Sequence, residues 1–305
     1  MSTYRLQSLF APKSLALAGA SPRDLSLGRI VLRNIREAGF KGKLQLVNPH
    51  HAEIDGVPAV ASLDQLEGTP DVLVITAPPA EVPGLVAKAG ALKIPTAVII
   101  TSGLGHGPGS LAEATAQAAR PHGLRVLGPN CLGVLVPSLA LNASFATRMP
   151  KVGDLALISQ SGAIASSLVE WAASRSIGFS AVASMGDAVD VDFGDLLDYF
   201  ALDRKTRAIL MYVESITDVR KFMSAARGAA RVKPVIVVKS GRHTEAARAA
   251  APPTPTRAHS PAPTPSTTRR SGAPACCACS TSTSCSPPPR RSAISARSRA
   301  SASPS

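Results

Sequence analysis

No apolar run in the 305-residue chain approaches the roughly 20 residues that a membrane-spanning helix needs. Met1 to Phe10 lacks a basic stretch followed by an apolar one, which argues against a secretory signal and leaves the cytoplasm as the expected compartment. A disulfide framework is also missing. Of five Cys, four (Cys276, Cys277, Cys279 and Cys285) sit in one clump among Pro, Ser and Arg, and only Cys131 lies in periodic sequence. The clump has neither the paired spacing nor the nearby His of a zinc site, so no metal site is expected. Residues 252–305 contain no Asp, Glu or Lys but seven Arg. Those seven account for more than half of the formal charge of +13. The surplus left on residues 1–251 suits either solubility or an anionic ligand such as a phosphate ester, and gives no sign of a nucleic-acid partner.

What is present is 45% apolar content, enough for two domains with their own cores. Short aliphatic runs at Ser14–Ala20, Leu44–Asn48, Asp71–Thr76, Thr96–Thr101 and Leu124–Leu127 read as strands buried on both faces of a parallel sheet. Leu27, Ile30, Val31, Ile35 and Ala38 recur at helical spacing, with Gly39 as the stop. Ser110–Arg120 reads as another helix, with Ser110 as its N-cap. This alternation predicts a doubly wound α/β sheet. A second set starts at Gly153, after a link around Ala146–Val152 that contains Pro150. Its strands are predicted at Asp154–Ser159, Phe179–Ser184, Ala208–Glu214 and Pro234–Lys239, and its helices at Ala163–Ser174, Phe193–Leu202 and Asp218–Arg231. Beyond Ala251 periodicity stops, and the composition cannot offset its ordering entropy, which predicts disorder.

Chemistry is expected at the strand-end loops. Gly19-Ala-Ser-Pro-Arg-Asp-Leu-Ser-Leu-Gly28 follows the first strand and opens a helix, where glycines and unpaired N–H groups suit an anion or simply a tight turn. The G-x-G-x-x-G spacing is absent, and Asn48-Pro-His-His51 stands where an acid would hold a nicotinamide nucleotide's ribose. An NAD site is therefore disfavoured. Thr76-Ala-Pro-Pro79, Thr101-Ser-Gly-Leu-Gly105 and Gly128-Pro-Asn-Cys-Leu-Gly133 end later strands and are predicted to line the same crevice. Ser159-Gln-Ser-Gly162 reads as an anion cradle rather than a nucleophile elbow, because G-x-S-x-G is not matched. Glu214, at a strand end, is either a solvated charge or a partner that orients an imidazole.

Taken in order, Gly19-Ala-Ser, Pro78-Pro79, Gly128-Pro-Asn-Cys-Leu-Gly133, Ser159-Gln-Ser-Gly162, Gly186-Asp…Asp190-Val-Asp192 and Lys239-Ser-Gly-Arg242 resemble the α region of the NDP-forming acyl-CoA synthetases. That group includes the ADP-forming acetyl-CoA synthetases and succinyl-CoA synthetase. Asp195-Leu-Leu-Asp-Tyr-Phe-Ala-Leu-Asp203 and Ser224-Ala-Ala-Arg227 are most similar to the synthetase-like part of GNAT-fused bacterial lysine acetyltransferases. The resemblance spans residues 4–251. It implies a Rossmann-like CoA-binding domain over 1–148, a flavodoxin-like succinyl-CoA synthetase-type domain over 149–251, and a tail over 252–305.

The resemblance further implies CoA or acetyl-CoA at Gly19, Ala20, Ser21, Ser26, Gly28, Pro78, Pro79, Ser102, Gly103 and Asn130. It implies a phosphohistidine whose phosphate Ser161 and Gly162 cradle and whose ring Glu214 orients. ATP or ADP with Mg enters only through an ATP-grasp β region, which this chain lacks. Oligomerisation is left open. Gly19→Val is expected to block CoA binding by filling the space the phosphates need.

The sequence departs from the family's pattern beyond Ala251. Where the synthetases carry a Ser-His-Thr-Gly-like loop, this chain reads Pro252-Pro-Thr-Pro255. His243 comes too early, and His259 lies in Pro-rich sequence without the loop. A change of reading frame near Ala251 would account for both: shifted codons over Ser260–Ala275 can decode to a family-like string, and Cys276-Cys277 to Met-Leu. A native disordered tail is the alternative. The functional expectation is the CoA- or acyl-CoA-binding α region of an ADP-forming acetyl-CoA synthetase, inactive as this chain alone. The alternative is the acetyl-CoA-binding regulatory part of a GNAT-type acetyltransferase.

Overall fold

The computed structural model describes residues 3–240. The predicted tail, His243, His259 and the Cys clump lie outside the described residues.

The first half of the chain runs α1 (Leu6–Phe10), β1 (Ser14–Ala18), α2 (Leu27–Ala38), β2 (Lys43–Val47), β3 (Glu53–Ile54), β4 (Val57–Val60), β5 (Val72–Ile75), α3 (Val82–Ala91), β6 (Thr96–Ile99), α4 (Leu111–Ala119) and β7 (Arg125–Leu127). It continues through β8 (Gly133–Val136) and β9 (Leu141–Ser144). The second half runs β10 (Lys151–Ser159), α5 (Gly162–Ser174), β11 (Gly178–Ser184), α6 (Phe193–Leu202), β12 (Ala208–Val213), α7 (Val219–Ala230) and β13 (Val235–Lys239).

Two sheets result. The first has the order β3-β4-β2-β1-β5-β6-β7, parallel throughout except for the short β3–β4 pair. Its central strands are buried on both faces, which explains their near-continuous aliphatic sequence. The chain winds outward from β1 to β2 and β4, then returns to β5 on the other side of β1. The β1–β5 junction is therefore a topological switch point, outside whose carboxyl end such sheets bind ligands.

The second sheet has the order β13-β12-β10-β11-β8-β9. Strands β13, β12, β10 and β11 are mutually parallel, while β8 and β9 add antiparallel. Its switch point lies between β10 and β12, in the flavodoxin manner. The link around Ala146–Val152 runs from β9 into β10, and the second sheet also takes β8 and β9 from ahead of that link.

Local sequence explains the helix that matters most to the first switch point. Ser26 caps α2 by accepting a hydrogen bond from the Arg29 N–H at 3.3 Å. Such a cap stabilises a helix by about 1 kcal/mol. Val31, Leu32 and Ile35 turn one face into the core, each worth roughly 1.5–3 kcal/mol on full burial. Gly39 ends the helix at φ 84°, a left-handed cap that favours glycine. Asn34, buried on the same helix, donates to the carbonyls of Ser144 (2.8 Å) and Ala146 (2.9 Å), and so fastens α2 to the end of β9. One apolar cluster runs from α1, β1 and α2 to α6 and β12. Within it the Phe10 ring sits 4.8 Å from both Tyr199 and Phe200.

Candidate functional site

The first rim forms at the carboxyl ends of β1, β5, β6 and β7. Gly19, at φ 90°, lies so close to the next loop that a Cβ there would sit 2.4 Å from the Ala77 nitrogen. Gly28 is equally constrained, because a Cβ would stand 2.2 Å from the Gly19 carbonyl oxygen. The first glycine brings β1 against the β5 loop, and the second brings α2 against the turn. Ala20 is wholly buried, backbone included, and its carbonyl is taken up by Asn48 Nδ2 at 2.6 Å. The Ser21 hydroxyl accepts from the Arg23 N–H at 3.2 Å, and Ser26 Oγ donates to the Ser21 carbonyl at 3.4 Å.

The rim continues without a break. Thr76 donates through its hydroxyl to the Ala18 carbonyl (3.1 Å), and Thr101 does so to the Ala77 carbonyl (2.7 Å). Pro79 approaches Gly103 to 3.6 Å of its ideal Cβ position. The Asn130 N–H donates to the Thr101 carbonyl at 3.0 Å. Gly19, Thr76–Pro79, Thr101–Gly103 and Asn130 thus share one edge of one sheet, as the sequence predicts.

The second rim belongs to β10, β11 and β12. Ser161 caps α5, accepting from the Ile164 N–H at 3.4 Å, and Ser159 Oγ donates to the Ser161 carbonyl at 2.7 Å. Between them, Gln160 reaches across the switch point. Its Oε1 accepts from the N–H groups of Glu214 (2.7 Å) and Ser215 (2.9 Å). Lys239 Nζ donates to the Glu214 carbonyl at 2.8 Å. The Glu214 backbone is held on both sides while the residue remains exposed.

The two rims meet. A Cβ on Gly186 would lie 2.1 Å from the Pro129 carbonyl oxygen, and one on Gly162 would lie 3.3 Å from Leu132 Cβ. Asn130 Nδ2 donates to Asp187 at 3.3 Å. The Asp187 and Val189 N–H groups donate to the Pro129 and Gly128 carbonyls. Behind this seam lies an ion network. Arg125 forks to Asp190 and Asp195, both at 2.9 Å, and Lys221 pairs with Asp192 (2.9 Å) and Asp195 (2.8 Å). Burial pushes the Asp195 carboxyl up against the pull of Lys221 and Arg125. The Lys221 ammonium is raised by those carboxylates despite its own partial burial. Burial pushes the Cys131 thiol up to about 12. At neutral pH it is therefore a protonated core side chain rather than a nucleophile.

Sequence reasoning missed three features here: the Gln160 brace, the ion network, and the carboxamide of Asn48, which bonds to the Ala20 carbonyl. The network had one legible signal, the Asp192-x-x-Asp195 spacing, which forms a capping box at the start of α6. A surface cavity of about 700 Å³ lies beside α2 among Asp24, Arg29, Arg33, Arg36 and Asp55, and it touches the Gly19–Gly28 loop through Asp24 and Leu25. There Arg29 already pairs bidentately with Asp55 at 2.9 Å. Among the described residues there is no cluster of His, Cys, Asp and Glu able to hold a metal ion, and no helix long and apolar enough to cross a membrane.

Residues 13–137 match the CoA binding domain family, and residues 152–279 match the succinyl-CoA ligase like flavodoxin domain family. The chain is thus a CoA-binding domain followed by a succinyl-CoA ligase-like domain. Its homologues are α regions of ADP-forming acetyl-CoA synthetases. The chain is 36% identical over 249 residues to acetate–CoA ligase [ADP-forming] I of Archaeoglobus fulgidus, covering 81% of this chain and 36% of that one. It is 38% identical over 253 residues to the acetate–CoA ligase [ADP-forming] I α subunit of Pyrococcus furiosus, covering 81% and 55%. Among solved structures, acetyl-coenzyme A synthetase 1 of Ca. Korarchaeum cryptofilum superimposes with a TM-score of 0.77 at 37% identity, covering 81% of this chain and 54% of that one. The chain therefore spans between about one third and about one half of the relatives it matches. The acetyltransferase alternative gains no support from these relatives.

Proposed function

We propose that this chain is the part of an ADP-forming acyl-CoA synthetase that binds CoA and its thioester. The observation that carries the reading is the unbroken first rim at a switch point: Gly19 pressed on Ala77, and the Thr76, Thr101 and Asn130 loops bonded in series. In the proposal, the regions 1–148 and 149–251 divide the work. The backbone from Gly19 to Ser21, with Ser26 and Gly28 fixing the start of α2, receives the CoA phosphates. Pro78, Pro79, Ser102, Gly103 and Asn130 flank the pantetheine. Ser161 and Gly162, at the N-terminus of α5, receive a phosphoryl group, and Glu214 orients the imidazole that carries it. A related structure from Ca. Korarchaeum cryptofilum, 37% identical with a TM-score of 0.77, was solved with phosphate and ADP. ATP or ADP with Mg would be supplied by an ATP-grasp β region, and the compartment would be the cytoplasm.

Isothermal calorimetry of the chain with CoA, acetyl-CoA and NAD tests this. Binding of both thiol-carrier ligands with no NAD binding is the expected result, and failure to bind CoA defeats the reading. We further propose that the chain alone does not turn over, because the family's histidine loop has no counterpart after Arg242. DNA sequence across codon 251 decides whether a frame change is the cause.

A further inference from the structure

The end of β2 carries a polar side chain that the reading above leaves without a task. Asn48 is only 8% exposed. Its Nδ2 donates to the Ala20 carbonyl at 2.6 Å. Its Oδ1 accepts from the N–H groups of His50 (2.7 Å) and His51 (3.0 Å), and its own N–H donates to the Val60 carbonyl at 2.9 Å. One carboxamide thus joins the turn after β2 to the loop after β1. The Ala20–Ser21 peptide is trans, since among the described residues the cis bond is Gly128–Pro129. In a planar trans peptide the carbonyl and the following N–H point in opposite directions. Holding the Ala20 carbonyl toward Asn48 therefore turns the Ser21 N–H the other way. That N–H has no hydrogen-bond partner among the described residues.

We propose that Asn48 is a positioning residue for the diphosphate of CoA. It fixes the orientation of the Ala20–Ser21 peptide, so that the Ser21 N–H is presented to the ligand before binding instead of being reorganised by it. The inference rests on the CoA-binding reading and deepens it. Among the described residues, the side chain that bonds the Ala20 carbonyl is Asn48.

The test uses the whole chain, with CoA and with pantetheine, which carries no phosphate. Asn48→Asp keeps an acceptor for His50 and His51 but sets an oxygen against the Ala20 carbonyl. Asn48→Leu removes both arms. For each variant we expect CoA affinity to fall about tenfold or more, the scale of one lost charge-assisted hydrogen bond. Pantetheine affinity should stay within about twofold, so that the ratio of the two affinities collapses. A role confined to general packing would weaken both ligands alike and leave the ratio unchanged, which would overturn the proposal. Amide NMR of the unaltered chain tests the same claim without a substitution. The Ser21 N–H should shift downfield with CoA and not with pantetheine, and an unmoved resonance would overturn the proposal even if both variants fail to fold. If the unaltered chain binds no CoA, the parent reading falls. If it binds CoA and Asn48→Asp binds it equally well, only the role of Asn48 falls.

Discussion

A carbon atom added at Gly19 would come within 2.4 Å of the Ala77 nitrogen, on a residue whose φ is 90°. The sequence alone suggests that the glycine clears space for a ligand's phosphates. The structure gives a different reason: the space is already filled by the protein's own β5 loop. Gly19→Ala should therefore destabilise the fold by about 1–3 kcal/mol, from overpacking together with left-handed strain. The check is a denaturant midpoint measured without ligand, where an unchanged value would return the glycine to a purely ligand-clearing role. Asn48 teaches a related lesson. From sequence it registers only as the absence of a ribose-binding acid. Its actual partners are a backbone carbonyl 28 positions earlier and two amides just beyond it. A side-chain amide carries no mark of where tertiary structure will point it. Gln160, inside Ser159-Gln-Ser-Gly162, likewise shows no local sign of its bonds to the Glu214 and Ser215 amides.

At the scale of elements, legibility followed burial. The β1, β5 and β6 strands read correctly because two-sided burial forces continuous aliphatic sequence. Gly39 and Ser110 marked helix ends because their backbone roles are local. Short or edge elements did not announce themselves: β3 has two residues, β4 contains Pro58, and α3 carries Pro83 and two glycines.

Elements α6 and α7 are tied through charge. Lys221 on α7 bonds both Asp192 and Asp195, and Asp195 also takes Arg125 from β7. Removing one partner from such a buried network costs about 3–5 kcal/mol, so Asp195→Ala should lose roughly that much stability. The raised Lys221 ammonium adds a pH signature. A basic group whose folded pKa lies above its unfolded value stabilises fully below the ordinary 10.5 and loses that contribution as pH rises through the folded value. Alkaline denaturation should accordingly begin at lower denaturant above that pH in the parent chain. Lys221→Met should flatten this part of the curve, and identical alkaline profiles in the two proteins would contradict the assignment.

Across the molecule as a whole, both candidate rims arise where a sheet's winding reverses, and a shared seam of glycine-tight loops sets them side by side. The doubly wound class and the carboxyl-edge placement were legible from the order of runs and loops. The transfer of β8 and β9 into the second sheet was not, since nothing local in Gly133–Val136 or Leu141–Ser144 says which sheet will receive it. Asn34 adds to this interdependence by bonding the carbonyls of Ser144 and Ala146 from α2.

The outermost strand of the second sheet bears on how the protein behaves in a test tube. Ile236, Val237 and Val238 each leave about half of their surface in water, and among the described residues no strand pairs with the outer edge of β13. Edges of that kind recruit further chains. Concentrated samples should scatter light progressively during storage, and Val237→Lys, by charging the margin, should keep them clear at the same concentration.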